Sequence, residues 1–319
     1  MGAQQRIYRR RIRSIQSTKK ITKAMELIAA SRIAKLQSRR NAALPYSREL
    51  TRALAALSKD TSLKHPMLTG VENPRRVGVL VITSDRGLAG GYNVNAIKRA
   101  NTLLAEIRKD GKEPVLYVIG RKGVANFRFR RIDIAGSWTG FSEQPQFLDA
   151  REATSAVVAA VSATSEGEVD GVPGVDELHV VYTVFKSAIT QTPVVSRVAP
   201  VELDKAGDEA QDDAQDEGQD DKRDGPSASY EFEPEPDELI AALLPRYISA
   251  RIFSALLESA ASESAARRRA MKSASDNADD LMKTFTRLAN QARQAEITQE
   301  ISEIVGGADA LASAGSDQR

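Results

Sequence analysis

The chain of 319 residues has no cysteine, two histidines, one tryptophan and 5% aromatic residues. Without cysteine there are no disulfides, thiolate metal sites or cysteine nucleophiles. His65 and His179 are too few for a multi-histidine metal centre, and a His-based triad is not expected. Scarce aromatics leave little on which the bases of single-stranded nucleic acid could stack. No uninterrupted apolar run reaches the roughly 18 residues of a membrane helix, so the sequence reads as soluble. What it does have is 41% apolar residues, enough for a sizeable core.

A net charge of +2 conceals two opposite poles. From Met1 to Arg52 the sequence is crowded with Arg and Lys, and only Glu26 and Glu49 oppose them. The stretch 205–229 is the reverse, rich in Asp and Glu and nearly devoid of apolar residues. Such composition buries too little surface to offset its ordering entropy, and it reads as a disordered acidic insert. The basic start resembles a transit peptide or a nucleic-acid arm. It continues too far as a helix former for the first and lacks interleaved aromatics for the second.

Periodicity organises the rest. Ile15, Thr18, Thr22, Met25, Ala29, Arg32 and Leu36 recur at steps of three and four, with Ile21, Ile28 and Ile33 broadening the stripe. Pro45 predicts a kink or break. Near the other end Met271, Ala274, Ala278, Leu281, Phe285, Leu288, Ala292 and Ala295 keep the same rhythm. Sixty helical residues span on the order of 90 Å, and so long a helix needs a partner along its length. The two ends therefore read as one antiparallel coiled coil. Between them lie apolar, β-branched runs from Arg76, Glu113, Leu178 and Val194, and helical stretches over Val94–Lys109 and Phe147–Ala163. Strands alternating with helices predict an α/β layer domain. The expected divisions are an N-terminal helix over 1–58, an α/β domain over 74–203, the insert over 204–229 and a C-terminal helix over 236–313. A loop is expected from Ser165 to Glu177.

Gly87-Leu88-Ala89-Gly90-Gly91 follows a strand, as a phosphate loop does. Tyr92 and Asn93 stand where Lys and Ser/Thr would be needed, and no GxGxxG is present, so the turn reads as structural, with Ser84-Asp85-Arg86 capping it. His65, His179 and Trp138 read as structural too, and the acidic pairs as surface groups. No catalytic constellation, cofactor or metal site is expected.

Three blocks carry a resemblance: IRSIQSTKKITKAMELIAASRIAKLQ over Ile12–Gln37, SDRGLAGGYN over Ser84–Asn93, and AMKSASDNA with ITQEISEIVGGADAL within Ala270–Leu311. Together they resemble the γ subunits of bacterial F-type ATP synthases over nearly the whole chain. The acidic insert and the Ser165–Glu177 loop depart from the shortest members. The resemblance implies a central-stalk rotor that couples proton flow to ATP synthesis in an α3β3 head and helps to regulate ATPase activity. It implies α, β, ε and c-ring partners, with δ in the same complex, and a peripheral place on the cytoplasmic face of the cell membrane, without insertion. By match to the family pattern, Lys23, Met25, Glu263, Arg267, Gln299 and Glu300 are candidate rotor–stator contacts. The acidic insert is a candidate regulator of hydrolysis. The rival reading is a basic coiled coil that binds nucleic acid, which predicts steeply salt-sensitive affinity.

Overall fold

The computed structural model describes residues 3–60, 66–201 and 236–316. The acidic insert and His65 lie outside the described residues. By internal contacts the chain divides into two units, Met1–Ile28 with Arg268–Arg319, and Ala29–Arg267.

The first unit is helical. Its segments belong to helix α1, Ala3–Asp60, and helix α6, Pro236–Ser316. They run antiparallel: Tyr8 lies against Phe285, Lys19 pairs with Asp279 at 2.5 Å, and Thr22 meets Ser275 at 2.7 Å. Arg11 stands over the Phe285 ring at 5.4 Å, so its charge faces the π cloud while its stem packs. Thr22 and Ser275 satisfy each other inside the seam. The rhythm on α6 is largely the expected one. Met271, Ala274, Ala278, Phe285, Leu288 and Ala292 are buried or half-buried, joined by Ser275, Met282 and Ala289, whereas Leu281, 49% exposed, and Ala295 face outward. Ile21 and Ile28 likewise face solvent rather than broadening the α1 stripe.

The second unit is an α/β layer structure around a five-stranded sheet of order β3-β2-β1-β6-β7. Its strands are β1 (Arg76–Ile82), β2 (Glu113–Ile119), β3 (Gly136–Trp138), β6 (Glu177–Phe185) and β7 (Gln191–Ala199). All pair parallel except β7, which lies antiparallel on the edge of β6. Pro193 is tolerated there because an edge strand has one side free of ladder bonds. Central strands are apolar on both faces, as a doubly covered parallel sheet requires. Val77, Val79, Val81, Leu116 and Val118 point to helices α3 (Tyr92–Lys109) and α4 (Arg121–Phe129). Leu80, Ile82, Tyr117, Ile119 and Val180 point to α5 (Phe147–Ala163), the Leu50–Leu57 part of α1 and the Ile240–Leu256 part of α6. Each such Leu or Ile, fully buried, contributes about 1.5–3 kcal/mol. A short helix α2, Pro66–Thr69, precedes the sheet.

Several local expectations are corrected. Helix α1 continues through Pro45, whose ring is exposed. The strands are shorter than or offset from the apolar runs: β1 stops at Ile82 and β7 starts at Gln191. The Ser165–Glu177 loop contains a small hairpin, β4 (Glu168–Val169) with β5 (Val172–Pro173). Its turn residues Asp170 and Gly171 both have positive φ, 53° and 78°, the backbone for which Asp-Gly is suited. Finally, a segment of α6 within Glu238–Gly306 reaches mean hydropathy 1.4 over 18 residues and passes the length and composition test for a membrane span. Ile240, Leu244, Ile248 and Ile252 of that helix are buried in the sheet-facing core, a position for which the same composition serves.

Candidate functional site

The carboxyl edge of an open parallel sheet is where such folds place ligands. Here it is closed by the protein's own side chains. Thr83, fully buried, donates to the Ile119 carbonyl at 2.8 Å and accepts from the Gly123 N–H at 3.0 Å, joining the ends of β1 and β2. Gly120 makes this approach possible: its φ is +99° and a Cβ there would stand 2.2 Å from the Thr83 carbonyl oxygen. Asp85 accepts the backbone N–H of Arg121 at 3.1 Å, of Gly140 at 2.8 Å and of Ser142 at 3.0 Å. Its carboxylate therefore takes the free N–H at the start of α4, the helix that follows β2, and ties it to the loop after β3.

The turn itself is held from two sides. Ser84 donates to the Arg86 carbonyl at 2.6 Å and accepts from the Asn93 amide at 2.7 Å. Gly90 and Leu88 both adopt positive φ, 54° and 62°. Tyr92 then enters the interior, packed with Ala89 and Ala266. Burial first, and the Glu263 charge second, push the Tyr92 phenol above its usual range, against a hydrogen bond from Ser259.

Beneath the turn lies a charged cluster. Arg267, 4% exposed, donates to Glu263 at 2.6 Å and to the Gly87 carbonyl at 3.3 Å, and stands 3.5 Å from Glu143. Glu143 also pairs with Arg32 of α1 and lies 3.6 Å from Arg86. Glu263 is 1% exposed, and one of its oxygens and the Arg267 Nε have no hydrogen-bond partner among the described residues. Burial raises the Glu263 carboxyl to about 7; Arg267 pulls it down, and the Glu143 charge adds to the rise. The sequence reading that acidic pairs are surface groups is thereby corrected, since Glu143 and Glu263 share a buried guanidinium. A cleft of about 530 Å³ opens beside the cluster, lined by Arg32, Asp85, Arg86, Arg121 and Glu143.

At the opposite edge of the sheet, Asp176 accepts the N–H groups of Arg75 at 2.7 Å, Arg76 at 3.2 Å and Ser165 at 2.8 Å. Burial pushes its carboxyl up, but these donors together outweigh it and hold the group below its ordinary range. His179 rests 3.1 Å from Glu177, which Lys112 pairs at 2.6 Å. Burial lowers the His179 pKa more than Glu177 raises it. Trp138 stacks on Tyr117 with ring centroids 6.4 Å apart, an aromatic neighbour its sequence surroundings did not suggest. Among the described residues no group of three His, Cys, Asp or Glu side chains could hold a metal ion.

The six contact candidates do not form one site. Glu263 and Arg267 lie together inside the second unit. Lys23, on α1 in the first unit, is exposed and pairs with Glu26 at 3.1 Å, and Met25 is half-buried. Gln299 and Glu300 are exposed on α6, with Gln299 donating to Glu303 at 3.0 Å. Glu143, Arg32 and the capping role of Asp176 escaped the sequence reading, because nothing in the linear order places these residues near their partners.

A family model described as ATP synthase matches residues 4–311. The ATP synthase gamma chain of Salinispora tropica is 55% identical over 322 residues, covering 99% of this chain and 100% of that one. That of Mycolicibacterium smegmatis is 52% identical over 317 residues, covering 98% and 99%. Among solved structures, a chain of the Euglena gracilis mitochondrial ATP synthase OSCP/F1/c-ring assembly superimposes with TM-score 0.65 at 16% identity, covering 98% of this chain and 95% of that chain. A chain of the Euglena rotor gives TM-score 0.61, also at 16% identity, covering 93% and 100%. At that identity the structural likeness is one of fold.

Proposed function

The chain belongs to the ATP synthase gamma-chain family, and on that premise we propose that it is the central-stalk rotor subunit of a bacterial F1Fo complex. It couples proton flow through the membrane sector to ATP synthesis in the head and contributes to the control of ATPase activity. It contains no catalytic site of its own; the chemistry belongs to the α3β3 head. The observation that carries this reading is identity above half with curated gamma chains over essentially the full length of both partners. Two physical features support it. The two-helix unit presents exposed apolar side chains, among them Ile21, Leu27, Ile28, Ile301, Ile304 and Val305. Such a surface suits a sleeve that it must touch without strong directional bonds. At the sheet's carboxyl edge, the glycine-rich turn lacks the Lys and Ser/Thr of a phosphate loop and is fastened by Ser84, Asn93 and Arg267, which suits a structural part.

In this reading the two-helix unit meets the α and β subunits, and the α/β unit meets the ε subunit and the c-ring, with δ elsewhere in the same complex. The complex sits at the cytoplasmic face of the cell membrane. Lys23, Met25, Gln299 and Glu300 are the contact points toward the head, the exposed charges acting as weak, resettable catches of about 1 kcal/mol or less each. Glu263 and Arg267, being buried, reach a partner through the Arg86–Gly87 turn that Arg267 holds. The test is reconstitution. The purified chain should bind an α3β3 head and, with ε, restore ATP-driven proton pumping to membranes stripped of F1. A chain that neither binds the head nor restores pumping overturns the reading.

A further inference from the structure

Within the second unit, α6 is hydrogen-bonded to β6 directly: the Thr183 N–H donates to Ser259 at 3.2 Å, the Phe185 N–H to Glu258 at 2.9 Å, and Ser262 to the Thr183 carbonyl at 2.9 Å. Elsewhere the long helices meet the sheet mainly through apolar side chains, contacts with no preferred direction. Glu143 is different. It lies in the loop between β3 and α5, is 15% exposed in its side chain, and faces arginines from three parts of the fold: Arg32 on α1, Arg267 on α6 and, less buried, Arg86 in the turn. Its loop is itself fastened. Asp85, at the end of β1, accepts the N–H groups of Gly140 and Ser142, and the Asp85 N–H donates to the Ser142 hydroxyl at 2.8 Å. A continuous run of charge-assisted hydrogen bonds and ion pairs thus leads from β1 through the loop to both long helices. Charge-assisted bonds with little solvent around them resist sliding in a way that an apolar face does not.

We propose that Glu143 is a positioning residue that locks the sheet to α1 and α6, so that the helices and the α/β layers turn as one piece when torque is applied. This rests on the rotor reading and adds to it a place where torque is handed across within the α/β unit. Removing the charge leaves Arg32 and Arg267 without their shared partner and leaves the apolar face and the α6–β6 hydrogen bonds to carry the load.

The experiment uses the assembled complex in membrane vesicles, with ATP hydrolysis and ATP-driven acidification measured on the same preparation. The wild-type chain sets the reference, and its failure to support acidification would count against the rotor reading itself. Glu143→Gln is expected to assemble normally and to keep its ATPase rate, while protons pumped per ATP fall by about two- to threefold or more. Arg32→Gln should lower the ratio in the same direction. The double variant should fall no further than Glu143→Gln alone, because both changes break one link. Glu143→Gln with unchanged pumping per ATP overturns the proposal. So does a loss that merely follows reduced assembly, or one that adds in full to that of Arg32→Gln; either makes Glu143 an ordinary folding residue.

Discussion

Glu263 carries a carboxyl raised to about 7 by burial, against the pull of Arg267. Its ordinary value in the unfolded chain is near 4.5. Between those two values the folded state binds more protons than the unfolded one, so this group makes stability fall as pH rises from about 4.5 to about 7. Glu263→Gln removes the titration. The variant's urea midpoint should therefore fall less steeply over that interval than the wild type's, and an unchanged slope would contradict the assignment. Asp176 acts with the opposite sign. Its depressed carboxyl contributes stability at neutral pH that is lost on acidification below the ordinary carboxylate range. Neither effect is legible in the sequence. Glu263 and Asp176 are single acids among many, and only tertiary contact, with Arg267 in one case and three backbone donors in the other, distinguishes them.

Among the elements, the strands of the sheet were the most readable, because a strand buried on both faces must be a short run of Val, Ile and Leu. Helices α3 and α5 were readable for the same reason of pattern, and α5 begins and ends where expected. Strand β3 and helix α4 are not legible in the sequence, each for a physical reason. Strand β3 is only three residues, too short to show alternation. Helix α4 opens on Gly120, carries Gly123 within it and has several arginines, a composition that reads as loop until Thr83 is seen to need both glycines close. The seam of α6 follows the expected row except at Leu281 and Ala295, which are exposed, and takes in Ser275, Met282 and Ala289 as well. That seam gives a direct test. Thr22→Val leaves the buried Ser275 hydroxyl without its partner and should cost about 1–2 kcal/mol in chemical denaturation, whereas adding Ser275→Ala should recover most of the loss. Equal stability of the single variant and the wild type would contradict a buried hydrogen bond at 2.7 Å.

For the whole molecule, the resemblance carried by the residues near both ends and in the Gly87–Gly91 turn pointed to the right family, and the match over residues 4–311 agrees with it. Composition and periodicity alone reached only a coiled coil and an α/β layer, since rotation leaves no compositional mark. Met25→Lys is the coarse test at this scale. A charge placed on half-buried Met25, a proposed contact with the head, should lower protons pumped per ATP in the assembled complex, and full retention would deprive Met25 of that contact. The decisive measurement uses the absence of cysteine. Lys109→Cys, exposed at the end of α3, gives one attachment point for a probe on a chain that offers no other thiol. With the α3β3 head fixed to a surface and ATP supplied, the probe should turn in discrete steps in a single sense. A probe that stays still while the same immobilised complexes hydrolyse ATP would contradict the assignment of this chain as the rotor.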